Sequence, residues 1–334
     1  MNRLIAKAVD TWGVEDLEVS AKVTFRRQDA HSFPHRGLCN NPHMSRLRSL
    51  KLAACYIPPL HGLNALTSLV LQDLPGSTPA AAYEAIFTLC PQLRVLHLKS
   101  CKNRGIVAIN APKSEIKQLV LEHCSFECIK LYALPMLESM AVVDTIVRYK
   151  LSSFPHLTHL NLAMCLGITK NHLCRFKGNI DLSLFLGDTP GITNLRLLVA
   201  EVPSSWDVSW PRLLIEAAPC LESLHVHITS WEEEPCDDIS WPSSEFCHNQ
   251  LKDLVIVGFE GTKRQLYLIN CVIHVSMVLQ HVSLYKKGHI QDRGHWDWDI
   301  VAEQYQWDND EKVKILNQIA DNVSCAASPI QLSL

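Results

Sequence analysis

Four stretches of this chain place Leu or Ile at offsets 0, 3 and 5 and Cys at offset 8: LRSLKLAAC from Leu47, LRVLHLKSC from Leu93, IKQLVLEHC from Ile116 and LTHLNLAMC from Leu157. Copies without the cysteine start at Val14, Leu66, Leu137, Leu221 and Leu251, with a poorer one at Ile192. Most starts after Leu47 lie 19–30 residues apart. A fixed pattern at such a period predicts a stack of like units. Offsets 3 and 5 differ by two, so on a strand both side chains leave the same face. Each copy is expected to add one short strand, paired in parallel with the next at about 4.8 Å. One copy cannot bury its apolar face; a stack buries a continuous one.

Between strands the chain must return. The stretch STPAAAYEAIFTLCPQ (77–92) predicts a helix capped by Ser77 or Thr78 and running to Leu89, with Ala82, Ile86 and Leu89 inward. The cysteines Cys55, Cys101, Cys124 and Cys165 then fall in one column where the chain leaves the strand. Cysteine behaves as a small, often buried apolar residue, so the column is read as architecture. Side chains at offsets 2, 4 and 6 point away from the core. Offset 4 gives Glu18, Lys51, Val70, His97, Val120, Ala141, Asn161, Arg196, His225 and Val255; Lys99, His159 and His227 share the face. Val70, Val120, Ala141 and Val143 are expected to form an exposed apolar strip rimmed by His, Lys and Arg. Such a pattern marks a protein contact.

Other chemistry finds little support. A net charge of −3 gives no electrostatic footprint for nucleic acid. The sequence has no run of 18 apolar residues to span a membrane and no signal-peptide core near Met1. Thirteen cysteines without a secretory signal suggest reduced thiols in the cytoplasm or nucleus, and a silent sequon at Asn322. His123, Cys124 and Cys128 lack a second close pair at zinc spacing, and Cys247-His248 stands alone. GFEGTK (258–263) has two residues between its glycines where a phosphate loop needs four. HExxH, GxSxG, GxGxxG and EF-hand patterns are absent from the sequence. No catalytic residue, cofactor or metal is therefore nominated. The acidic WEEEPCDDISW (231–241) reads as a solvated insertion. Trp296, Trp298 and Trp307 read as pins for a terminal helix.

The recurring pattern resembles the leucine-rich repeat, LxxLxLxx(N/C)xL. Residues 111–145 and LKDLVIVGFEGTKRQLYLINCVIHVSMVLQHVSLYKKG (251–288) resemble the plant F-box proteins with leucine-rich repeats, the second stretch their FBD-type C-terminal module. The resemblance implies an α/β solenoid: a curved parallel sheet on the concave side, helices and loops on the convex side, and an α+β C-terminal cap. Residues 1–13 are assigned to a linker or capping helix with Leu4, Ile5, Ala8 and Trp12 at helical spacing, 14–258 to the solenoid, and 259–334 to the cap and terminal helix. Thr262 should cap a helix whose buried stripe is Leu266, Ile269, Ile273 and Val278. GNIDLSLFLG (178–187) reads as a strand too close to Ile192 for two full copies, so irregular stacking is expected near 175–210.

In that family an F-box docks on the Skp adaptor of a cullin ligase and the repeats hold the substrate. Only about a dozen residues precede Val14, so adaptor docking is expected only if an F-box lies upstream. The function implied is non-catalytic recognition of a protein target on the concave face, through Lys51, Val70, His97, Lys99, Val120, His159, Asn161, Arg196, His225 and His227. The alternatives are the repeat region of an intracellular immune-type sensor or a general leucine-rich-repeat scaffold, and a thiol enzyme or metal protein.

Overall fold

The structure is a computed structural model that describes residues 1–21, 30–145, 147–149, 154–165, 194–202, 215–216, 218–228, 246–294, 297–302, 307–324 and 329–333. The insertion at 231–241, the strand expected at 178–187 and Trp296 lie outside the described residues. The chain is mixed α/β, built mainly on parallel strands. It divides into two compact units, Met1–Thr158 and His159–Leu334.

The first unit opens with α1 (Asn2–Asp10). Its buried stripe is Ile5, Ala8 and Val9, whereas Leu4 and Trp12, expected inward, are exposed. Six strands follow in parallel: β1 (Asp16–Ser20), β2 (Ser49–Ala53), β3 (Ser68–Gln72), β4 (Val95–Lys99), β6 (Gln118–Glu122) and β8 (Ser139–Val143). Each belongs to one copy of the motif. Their registers put the aliphatics in rows: Leu17, Leu50, Leu69, Leu96, Leu119 and Met140 at offset 3, and Val19, Leu52, Leu71, Leu98, Leu121 and Val142 at offset 5. Leu50, Leu69, Leu96, Leu119 and Met140 have no exposed surface.

The return segments depart from the expected helices. The segment between Leu66 and Leu93 holds an α-helix, α2 (Ala80–Leu89). Those following β4, β6 and β8 hold β5 (Ile106–Asn110), β7 (Cys128–Ala133) and β9 (Val147–Tyr149), which form a second parallel sheet. A strand advances about 3.3 Å per residue and a helix 1.5 Å, so a short connection spans the same distance only when extended. In α2 the inward residues are Tyr83, Ile86 and Phe87; Leu89 is exposed, and no side chain caps the helix at Pro79. Tyr83 packs edge-on against Phe126.

The second unit carries a parallel series β10 (His159–Cys165), β11 (Asn194–Val202), β12 (Leu221–Ile228), β13 (Asp253–Val257), β14 (His281–Tyr285) and β17 (Gln331–Ser333). Between β13 and β14 lies α3 (Lys263–Val275), opened by a capping box of Thr262 and Gln265. Its buried stripe is Leu268, Ile269, Val272 and Ile273; Leu266 is half-buried and Val278 follows the helix end. An antiparallel hairpin, β15 (Gly288–Gly294) and β16 (Asp297–Ala302), precedes α4 (Asn309–Ser324), and the sequence reading contained no such hairpin. Trp307 is buried ahead of α4, edge-on to Phe259, with its indole N–H donating to the Leu284 carbonyl. The Trp298 side chain lies outside the described ones.

Register is even within most pairs but slips at β11. Leu197 aligns with Leu162 of β10, at offset 5, and with Leu224 of β12, at offset 3. A two-residue slip preserves which face each side chain takes, because strand side chains alternate with period two. It changes the rows, however. Arg196 aligns with Asn161 on one side but with Ser223 on the other, not with His225 as the offsets implied.

Candidate functional site

The corners after β2, β3, β4, β6, β8 and β13 are built alike. Ala54, Asp73, Ser100, His123 and Asp144 have φ of 44–54°, and Gly258 has 78°; all occupy offset 7. The left-handed turn sends the next residue inward. In three copies that residue is cysteine, with Cys55, Cys101 and Cys124 at 0–4% exposure. Each thiol donates to the carbonyl at offset 5 of the preceding copy: Cys55 to Val19 (3.9 Å), Cys101 to Leu71 (3.3 Å) and Cys124 to Leu98 (3.3 Å). Each also reaches the carbonyl two residues back in its own strand.

Thr145 makes the same two bonds, to Leu121 (3.4 Å) and Val143 (2.8 Å), in a copy whose sequence lacks cysteine. Four copies thus place a small donor at offset 8, a signal that reading by cysteine alone missed, whereas the copies from Leu66 and Leu251 bury Leu74 and Phe259 there. The Cys165 side chain lies outside the described ones. Burial raises the Cys55 thiol and pushes Cys90 up to about 11. Cys124 is also raised, chiefly by its hydrogen bond with Cys101 and then by burial. Cys101, at the other end of that bond, is lowered by it against the effect of burial; the thiols held protonated are poor nucleophiles, and Cys101 is shielded by having no exposed surface.

His248 is likewise architectural. Its Nε2–H donates to the Ala218 carbonyl (2.8 Å) while Nδ1 accepts from the Leu251 amide (3.0 Å), and burial lowers its basicity. Cys128 donates to a backbone carbonyl, and His123 pairs with Asp144 at 3.1 Å. Among the described residues no group of three or more His, Cys, Asp and Glu is placed to hold a metal ion, and no helix is long and apolar enough to cross a membrane.

The surface read from offsets 2, 4 and 6 falls in both units, and each part stands by itself. In the first unit the expected apolar strip is not continuous at the surface. Val70 and Val143 are half-buried, but Val120 (2%) and Ala141 (3%) are covered, as is His97 (2%). A middle residue on such a face has neighbours on both flanking strands and two along its own, so crowding hides it. His97 approaches Glu122 at 3.0 Å, and the Lys99 ammonium lies 2.6 Å from the other carboxylate oxygen. These bonds, His97 first, hold the Glu122 carboxyl at about 2, well below its ordinary range. Lys51 bridges to Glu18 at 2.9 Å, with both side chains largely exposed.

In the second unit the strands present a cavity of about 470 Å3. Arg196 of β11 forms one wall. Ser223 and His225 of β12, 7% and 8% exposed and 2.8 Å apart, form the floor. Asp253 and Val255 of β13 follow, then His281 and Ser283 of β14, with Glu222 and Ser333 also lining it. Asp253 accepts from His281 (2.8 Å), and Glu222 pairs with Lys252 (3.2 Å). Of the residues named from sequence, the cavity unites Arg196 and His225; His159, Asn161 and His227 lie on β10 and β12 but do not line it. Asp253, His281 and Ser283 were missed, although counting offsets from Leu251 and Leu279 reaches all three. No family model, curated protein or solved structure matches the chain.

Proposed function

We propose that the chain is a non-catalytic protein-recognition module of leucine-rich-repeat type, resembling the substrate-holding part of an F-box ubiquitin-ligase receptor. One observation supports this reading: copies of the motif in the first unit supply strands in matched register, four of them bonded back to the preceding copy through a thiol or hydroxyl at offset 8. Such a frame uses its recurring residues for stacking and leaves offsets 2, 4 and 6 to differ from copy to copy, which is how stacked repeats recognise partners. The reduced, buried cysteines favour a cytoplasmic or nuclear setting.

The test is reconstitution. A target captured by crosslinking from cells is purified and titrated against the full chain. We expect a saturable complex weakened by charge reversals at Lys51, Lys99 or Arg196. Calorimetry with a purified Skp adaptor decides separately whether this chain recruits a ligase. The reading fails if no captured protein binds in purified form, or if reactivity profiling finds one hyper-reactive cysteine that turns over a substrate.

A further inference from the structure

We propose that the cavity on β11–β13 of the second unit docks a polyproline-II segment carrying an acidic and a basic residue three positions apart. The carboxylate meets Arg196 and the cation meets Asp253 and Glu222. The inference rests on the recognition reading above and specifies what that site takes.

The volume of about 470 Å3 is that of a ligand-binding cavity. Its lining is unusual for a small-molecule pocket, since Val255 is the one aliphatic side chain in it. The floor is polar and already buried, with Ser223 and His225 bonded to each other. An apolar occupant would cut the Asp253 and Glu222 carboxylates off from water with only their exposed partners to offset the loss. A phosphate or other bare anion would sit against two carboxylates, which repel it. The complementary ligand is therefore polar and of mixed charge.

The register sets the spacing. Arg196, Ser223, Asp253 and His281 form one row across four adjacent strands. Arg196 and Asp253 are two strand spacings apart, about 9.6 Å. A polyproline-II chain repeats every three residues and rises about 3.1 Å per residue, so residues i and i+3 face the same side about 9.3 Å apart. An extended β-strand offers same-face residues at about 6.6 or 13 Å, and neither matches. The existing partners of the two carboxylates do not block the fit. The Asp253–His281 pair is 41% and 49% exposed, and Lys252 is 42% exposed, so those pairings contribute little and yield to a ligand cation.

Fluorescence polarisation with the full chain tests this, using labelled Gly-Ser-flanked peptides. The set is Asp-Pro-Pro-Arg, its reverse Arg-Pro-Pro-Asp, the shorter Asp-Pro-Arg, the longer Asp-Pro-Pro-Pro-Arg and the all-acidic Asp-Pro-Pro-Asp. We expect one or both orders at the three-residue spacing to bind at least tenfold tighter than the other three. Arg196→Glu should lose at least tenfold for that peptide and bind Arg-Pro-Pro-Arg more tightly than the wild type does. Arg196→Gln, a milder change, should lose affinity without the swap, and Lys113→Glu at an exposed site of the first unit should change nothing. Equal binding across spacings, indifference to Arg196 substitution, or no binding up to millimolar peptide overturns the proposal. If the peptides fail while a purified protein target still binds, the docking site falls and the recognition reading stands; if neither binds, both fall.

Discussion

Replacing Glu122 by Gln tests the electrostatic account of the first unit. In the folded chain His97 and Lys99 hold this carboxyl at about 2 against an ordinary value of 4.5, with its side chain only 13% exposed. A depressed pKa stabilises the fold above the unfolded value and loses that stabilisation as pH falls toward the folded one. The window therefore runs from about pH 4.5 down to about 2, and the full contribution is about 3 kcal/mol. By pH 3 about 2 kcal/mol of it is gone. Gln keeps the shape but not the charge and leaves Lys99 and His97 facing a neutral amide. At pH 7 the variant should be less stable by about 2–4 kcal/mol. Urea titrations followed by circular dichroism at pH 7, 5, 4 and 3, on both proteins, isolate this group from every other carboxylate. The wild-type advantage should shrink by about 2 kcal/mol between pH 5 and pH 3. A gap that stays constant over that range refutes the reasoning.

Four further outcomes follow from the corner column and the burial of its thiols. Gly258→Ala should destabilise by at least about 2 kcal/mol in thermal melts, because φ is +78° and the added Cβ overlaps the Ile228 carbonyl oxygen. Ala54→Gly, at φ +54°, should instead be neutral or stabilising by up to about 1 kcal/mol in the same melts. Cys124→Thr should stay within about 1 kcal/mol of wild type, since Thr145 fills the equivalent position, whereas Cys124→Asp should lose more than about 3 kcal/mol in urea titrations by burying a charge. Iodoacetamide under native conditions, read by peptide mass spectrometry, should label exposed Cys247 well before Cys55, Cys101 or Cys124.

The strands were legible because their signal is local and repeated: every copy of the triplet from Val14 to Leu251 that lies in the described residues falls on a strand, and the aliphatics share rows. The helix after Gly258 was legible from Thr262, whose capping bond is short-range; the reciprocal Gln265 bond was not read. Its stripe was misjudged by a residue or two because a mixed apolar sequence fits several phases of a helix. The return strands β5, β7 and β9 were not legible, since IVAIN and CIKLYA carry no period that separates a second sheet from a loop. The fate of Val120, Ala141 and His97 was hidden for a different reason. Offset tells which face a side chain takes, whereas exposure depends on what stands on either side. The cavity was half visible, through Arg196 and His225, because its row crosses the slip at β11 that simple counting of offsets cannot detect.

That slip separates two reading frames. A rigid ligand following one row across β14, β13 and β12 arrives at β10 opposite Asn161, two positions further along the motif than where it began. Sequence change on one side of β11 thus cannot be copied to the other as an equivalent contact. The strand works as a gear tooth between two stretches of one surface whose rows must be counted separately.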